Sequence, residues 1–331
     1  MSRRPASQLD LFRSSPTPRP ARVGPAVVTA DFASVARSVP PEVRFGTSSW
    51  SFPGWKDIVY DRTVSAAVLA RDGLPAYARH PLLRAVGIDR TYYAPVARET
   101  FAGWAAVVPE DFRFVVKAHE LCTAVRVPAH ERHGARGGEA NDRLLDVAHA
   151  RDAVVAPAVD GLGHRLGAIL FQFPPQDARL VGGAARFAER LHAFLSALTP
   201  GPLYAVEIRT RALLGPAYAA ALRDVGACHC FTVHPTMPGL AAQARLADPA
   251  LMPAVVGRWM LGGGLGYEEA RARYRPFDRT VDPDDATCDG LADLCRIAAA
   301  LRRPAFVIIN NKAEGSAPLS AFRLARRLAH G

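Results

Sequence analysis

The stretch Ala168–Arg209, AILFQFPPQDARLVGGAARFAERLHAFLSALTPGPLYAVEIR, decides the fold. Its first six residues, Ala168–Phe173, are apolar on both faces apart from Gln172. A strand wetted on one side alternates instead, so this run reads as a strand covered on both sides. Pro174-Pro175 ends it. Further on, Ala184–Leu198 carries Phe187, Leu191, Phe194, Leu195 and Leu198 at helical spacing, which gives one apolar stripe. Tyr204–Ile208 is a second buried run. Two buried strands joined by an amphipathic helix make a parallel βαβ unit, because parallel neighbours need such a crossover.

The same alternation extends in both directions. Six more apolar, β-branched or aromatic runs read as strands: Val43–Thr47, Val86–Tyr92, Phe112–Lys117, Cys228–Val233, Val255–Met260 and Ala305–Ile309. Gly215-Pro216 and Pro304 punctuate the joints. Eight strands with helices between them predict an α/β fold, a (β/α)8 TIM barrel in a single domain over residues 41–331, and 331 residues exceed the roughly 250 such a barrel needs. A doubly wound open sheet is the alternative, but the first strand turn lacks GxGxxG and no GxxxxGK[ST] occurs. Residues 1–40, rich in Pro, Ser and Arg with little periodicity, are expected to be a disordered arm. Two connections are long: Ala118–Leu166, with a basic, Gly-rich stretch at His130–Gly138, and Leu261–Arg303.

Composition narrows the classes. No apolar run approaches a membrane span, and Arg3 and Arg4 have no apolar segment behind them, so a soluble, cytoplasmic protein is expected. The five cysteines, Cys122, Cys228, Cys230, Cys288 and Cys295, lack a disulfide or zinc pattern and read as reduced thiols. A net charge of +10 fits a nucleic acid or another polyanion. It also fits a general enrichment in Arg, since only Lys56, Lys117 and Lys312 are lysines. In so Arg-biased a chain, a retained lysine marks a position where an amine is needed. Asn is equally scarce, and two of the three, Asn310 and Asn311, sit together at one strand end.

In this fold the chemistry gathers where strands end. Those positions hold Trp50 after the first strand, Asp89 and Tyr92 in the second, and Lys117 and His119 at the third. Gln172 lies in the fourth, Glu207 and Arg209 at the fifth, Arg258 in the seventh, and Asn310, Asn311 and Lys312 at the eighth. The period of a strand puts Glu207 and Arg209 on one face, and likewise Lys117 and His119. Lys117 and Glu207 are the candidate catalytic acid–base groups, and a lysine crowded by arginines has a lowered pKa that suits a base or nucleophile. The alternative for Glu207 is an ion pair with Arg209 or Arg258 that closes the barrel top. The other strand-end residues are candidates for binding substrate.

Several blocks resemble a known family. Phe45-Gly46-Thr47-Ser48-Ser49-Trp50 through Trp55 resembles the GTSGW-x-Y-x-x-W opening of the YecE-like family, domain of unknown function 72. Trp104, Pro109 and Phe112–Lys117 are similar to its W…P-x-F-x-F-x-x-K block, Leu170–Pro175 to LFQLPP, and Ala205–Arg209 to AVEFR. Asn310-Asn311 with Glu314-Gly315 and Ala317-Pro318 resembles the closing FNN…EG-x-AP block. The resemblance implies a TIM barrel without an assigned activity, akin in shape to sugar-isomerase-like and endonuclease-like barrels. Two blocks depart from the pattern. Val86-Gly87-Ile88-Asp89 replaces VEIN, and Arg258-Trp259-Met260-Leu261 replaces RLHG, so the usual Glu and His are missing.

Gly262, Gly263, Gly264 and Gly266 follow the seventh strand, where barrels of this type often bind phosphate through bare backbone N–H groups; a lid hinge is the competing reading. Asp89, His119, Glu120, Glu207 and His234 are compatible with a divalent metal, which their spacing does not favour, and no motif names a cofactor. In the arm, Gln8-Leu9-Asp10-Leu11-Phe12 resembles the QL[SD]LF peptide by which replication and repair proteins bind the bacterial sliding clamp. The expected function is therefore action on an anionic or phosphate-bearing substrate, with nucleic acid included. The alternatives are a non-catalytic, clamp-recruited nucleic-acid protein and a sugar-phosphate enzyme.

Overall fold

The structure is a computed structural model that describes residues 23–262 and 264–329. Eight parallel strands pair in chain order, and the last returns to the first to close a barrel. They are β1 (Val43–Thr47), β2 (Leu83–Ile88), β3 (Arg113–Lys117), β4 (Leu166–Phe173), β5 (Tyr204–Ile208), β6 (Cys228–Val233), β7 (Val255–Trp259) and β8 (Ala305–Ile309). The barrel expected from the sequence is therefore the fold. β4 and β5 are joined by the helix Gly183–Ser196, which buries Phe187, Leu191, Phe194 and Leu195 against the sheet.

Two expectations are corrected. β2 does not run to Tyr92. It begins at Leu83 and ends at Ile88, and Asp89–Tyr92 turn as a 3-10 helix. The Thr91 hydroxyl lies 2.6 Å from the carbonyl oxygens of both Ile88 and Lys117, tying this turn to the end of β3. Nor does the arm remain irregular to residue 40. Ala30–Ser38 form a helix, capped by the Thr29 hydroxyl accepting from the Phe32 N–H. Phe32 stacks on Phe322 of the C-terminal helix at 4.2 Å between ring centroids, and Val35 is buried. An apolar stripe that finds a partner overrides a composition typical of disorder.

Both long connections are anchored. After β3, the buried Glu120 holds the 130–138 stretch: Arg132 donates to both its oxygens at 2.6–2.8 Å, and His133 Nε2 lies 2.5 Å from Oε1. After β7, Leu261, Ala270, Tyr274 and Phe277 form a small apolar cluster against Phe52 of the β1 loop. Gly54 permits that approach, since a Cβ there would sit 1.8 Å from the Pro276 carbonyl oxygen. All five cysteines are free and buried. Among the described residues no helix is long and apolar enough to cross a membrane.

Candidate functional site

The site is built from the ends of six strands, β2 to β7. In β5 the inward alternation brings Glu207 to the barrel axis, where it is wholly buried. Both of its oxygens are taken. Oε1 accepts from Arg209 Nε at 2.8 Å and from the Thr232 hydroxyl at 3.2 Å, and Oε2 accepts from Arg258 at 2.6 Å. Arg258, rising from β7 and equally buried, also donates to Asp89 Oδ1 at 2.9 Å and Oδ2 at 3.2 Å. Asp89, Arg258, Glu207 and Arg209 thus form one string of alternating charges across the mouth. Burial alone would raise the Glu207 pKa, but the guanidinium groups of Arg209 and Arg258 outweigh it and hold the carboxyl well below its usual range. Burial likewise disfavours the Arg258 charge, and Glu207 and Asp89 more than compensate.

Lys117 ends β3 beside this string and is only 7% exposed. Its Nζ lies 3.5 Å from the centroid of the Tyr92 ring. Among the described residues no carboxylate comes within 4.0 Å of Nζ and no acceptor takes a hydrogen bond from it. Burial lowers the Lys117 pKa, Arg258 and Arg209 push the same way, and Asp89 and Glu207 oppose them; the result is about 7. Burial thus shifts this amine toward its neutral form. Two further groups leave polar atoms open to the mouth. Arg209 uses only Nε, so both its Nη groups lack a partner among the described residues. Gln172, paired in register with Glu207, is buried with its amide making no side-chain hydrogen bond among the described residues.

An aromatic ladder leads outward from the amine. Tyr92 meets Tyr93 edge to face at 5.4 Å, and the Arg132 guanidinium lies 5.0 Å from the Tyr93 ring. In the loop after β7, Tyr267 lies 4.1 Å from Lys312 Nζ. Tyr93 and Tyr267 are 52% and 59% exposed, so each presents a ring beside a cation to solvent.

The structure brings Asp89, Tyr92, Lys117, Gln172, Glu207, Arg209 and Arg258 together at the mouth. Trp50 is mostly buried, its indole N–H donating to the Leu69 carbonyl, yet it lines a cavity of about 390 Å³ with Ser48, Gly87 and Asp89. His119 does not join Lys117, because β3 stops at Lys117 and the alternation ends with it. His119 Nδ1 sits 2.9 Å from His149 Nε2, and burial followed by His149 pulls its pKa down to about 4. Asn310 donates to the Ser48 hydroxyl at 3.2 Å. Asn311 Oδ1 accepts from the Trp55 indole at 3.2 Å and from the Ala317 N–H at 2.9 Å, so it knits β8 to the β1 loop.

In the Gly-rich loop, the Gly262 N–H donates to the Lys312 carbonyl at 3.3 Å, and a Cβ at Gly262 would stand 2.4 Å from the Ala313 carbonyl oxygen. The Gly266 N–H is capped by Glu269 at 3.4 Å, and Gly264 adopts a left-handed φ of 69°. Gly263 and the arm peptide Gln8–Phe12 lie outside the described residues. Of the metal-capable set, Asp89 and Glu207 are bound to Arg258, Glu120 to Arg132, and His234 to Thr236. No group of three His, Cys, Asp or Glu suited to a metal occurs among the described residues.

Sequence reasoning missed Thr232, Tyr93, Arg132 and Tyr267. Thr232 was accessible to it, being at the C-terminal end of β6, where barrels of this type gather their polar groups. The rim pairs depend on loop conformation and leave no local signal.

A family model described as "Protein of unknown function DUF72" matches residues 44–331. No curated protein matches the chain. A solved DUF72 family protein from Enterococcus faecalis is 19% identical with a TM-score of 0.57, over 87% of this chain and 96% of that one. A second, from Thermotoga maritima, is 20% identical with a TM-score of 0.54, over 86% and 98%. At such identities the likeness is one of fold.

Proposed function

The chain belongs to the DUF72 family, whose description assigns no activity, and from the chemistry of its own mouth we propose an enzyme acting on an anionic, phosphate-bearing substrate. The observation that carries this reading is Lys117, a buried amine that no described carboxylate pairs and that is partly neutral near pH 7. A lysine kept only for structure is paired or reaches water, because an unpaired buried cation is costly. Lys117 serves as base or nucleophile, and the open Nη groups of Arg209 hold the anion in a forked, charge-assisted arrangement. Glu207, grouped with Lys117 by its position, is assigned to orienting Arg209 and Arg258, since both its oxygens are occupied.

Calorimetric titration with inorganic phosphate and with glycolaldehyde phosphate tests this. Arg209→Gln, with its circular dichroism unchanged, should weaken binding at least roughly tenfold, as loss of a charge-assisted contact worth about 1.5–3 kcal/mol requires. Equal binding by both proteins would overturn the anion site.

A second reading is favoured by the rim. Tyr93 beside Arg132 and Tyr267 beside Lys312 suit stacking of nucleobases, at about 1–3 kcal/mol per base, and the net charge is +10. In this reading the chain is a nucleic-acid-associated protein recruited to the sliding clamp by Gln8–Phe12. Tyr93→Ala and Tyr267→Ala should then weaken binding of single-stranded DNA, and removal of residues 1–20 should abolish clamp capture. Unchanged behaviour in both assays would set it aside.

A further inference from the structure

We infer that Lys117 is an imine-forming nucleophile and that the mouth receives an aldehyde or ketone carrying an anionic group. This rests on the proposed anionic-substrate site and names what reacts there. Three features of the geometry point to it. First, the amine is free to act. Its close neighbour is the face of Tyr92, which offers no hydrogen to occupy the nitrogen lone pair, and no described carboxylate ties it down as an ammonium. Second, the neighbouring groups are already engaged. Both Glu207 oxygens accept from guanidinium or hydroxyl donors, both Asp89 oxygens face Arg258, and His119 is paired with His149. With these carboxylates and His119 engaged, the nucleophile left open at the mouth is the primary amine of Lys117.

Third, the charges suit each stage of imine formation. The amine nitrogen attacks the carbonyl carbon, an N–C bond forms, and the carbonyl π pair moves onto oxygen. The negative charge developing on that oxygen lies in a mouth carrying the guanidinium groups of Arg209 and Arg258. Two protons leave nitrogen and reach the oxygen through solvent, the C–O bond breaks, and water departs. The product is a C=N bond, with no net oxidation or reduction. When that imine takes up a proton its positive charge occupies the place of the ammonium, where Asp89 and Glu207 are the carboxylates whose fields favour a cation. The open Nη groups of Arg209 hold the anionic group of the same molecule. Burial of the amine, reinforced by the two arginines, keeps enough of it unprotonated for attack near neutral pH.

The composition makes the test direct, because the chain has three lysines only. Lys56 is exposed and lies 3.4 Å from Asp57, and Lys312 rests on Tyr267. The full-length protein is incubated near neutral pH with glycolaldehyde phosphate or with glycolaldehyde, each with cyanoborohydride to reduce any imine, and the modified residues are mapped by peptide mass. The expected result is modification of Lys117, roughly tenfold or more faster with the phosphorylated aldehyde, with the preference lost in Arg209→Gln. Lys117→Arg should lose that adduct and keep its circular dichroism. Modification confined to Lys56, Lys312 or the α-amine of the wild-type protein overturns the imine. Phosphate binding that still depends on Arg209 would then leave the anionic-substrate reading standing. Modification of Lys117 at equal rates by the two aldehydes supports the imine and overturns the anion site instead.

Discussion

Replacing Lys117 by methionine should make the protein more stable, by an amount that depends on pH. Methionine keeps an unbranched stem of similar length against Tyr92 and removes the amine. In the unfolded chain the lysine has its ordinary pKa of 10.5, and in the folded protein burial and the nearby arginines bring it to about 7. Between these values the unfolded state binds more protons, so wild-type stability rises with pH across that window and the cost of the lysine is complete below its lower edge. At 1.36 kcal/mol per unit the full cost is on the order of 5 kcal/mol, present at about pH 6 and reduced to about 1.5 kcal/mol at about pH 9.5. Urea denaturation of both proteins at those two pH values reads the difference, and comparing the pair cancels the titration of every other group. A Lys117→Met protein that is less stable than wild type, or a gap that does not shrink with rising pH, would refute the reasoning. Either outcome would mean that the lysine is charged and well paired in the fold.

Other perturbations have defined outcomes. Glu207→Gln removes the charge between Arg209 and Arg258 and should cost on the order of 3 kcal/mol, seen as a fall of several degrees in melting temperature by scanning calorimetry. It should also lower the Lys117 pKa further, because a carboxylate that favours the ammonium is lost. Glu120→Gln weakens the grip on Arg132 and His133. Hydrogen exchange across 130–138 should accelerate while the strands stay protected, and the cost should be about 1–3 kcal/mol because Arg132 is partly solvated. Gly262→Ala puts a Cβ against the Ala313 carbonyl and should destabilise by about 1–3 kcal/mol, measured by chemical denaturation.

The barrel was legible because burial on both faces leaves a plain mark, as in Ala168–Phe173 and Tyr204–Ile208. The second strand was misplaced for a physical reason. Thr91, Tyr92 and Tyr93 have strong strand preference, yet the hydroxyl of Thr91 meets carbonyls of β2 and β3, and the chain turns there. In the site, the period of β5 foretold the Glu207–Arg209 contact, since one strand fixes both residues. It failed for His119, which lies beyond the end of β3. Contacts between distant parts had no local trace. The indole of Trp55 meets Asn311, 256 residues away, and Glu120 finds Arg132 only once the intervening loop has folded. The scarcity of lysine is informative in a way that periodicity is not, for composition alone marks Lys117 as one of three.

The central claim is the protonation state of one amine, and it can be measured without knowing the substrate. Protein labelled with carbon-13 at the lysine ε-carbon should give three resonances, one for each of Lys56, Lys117 and Lys312. In a pH titration followed by NMR, one resonance should titrate near 7 and be absent from Lys117→Met. Three resonances that all titrate above pH 10 would contradict the account.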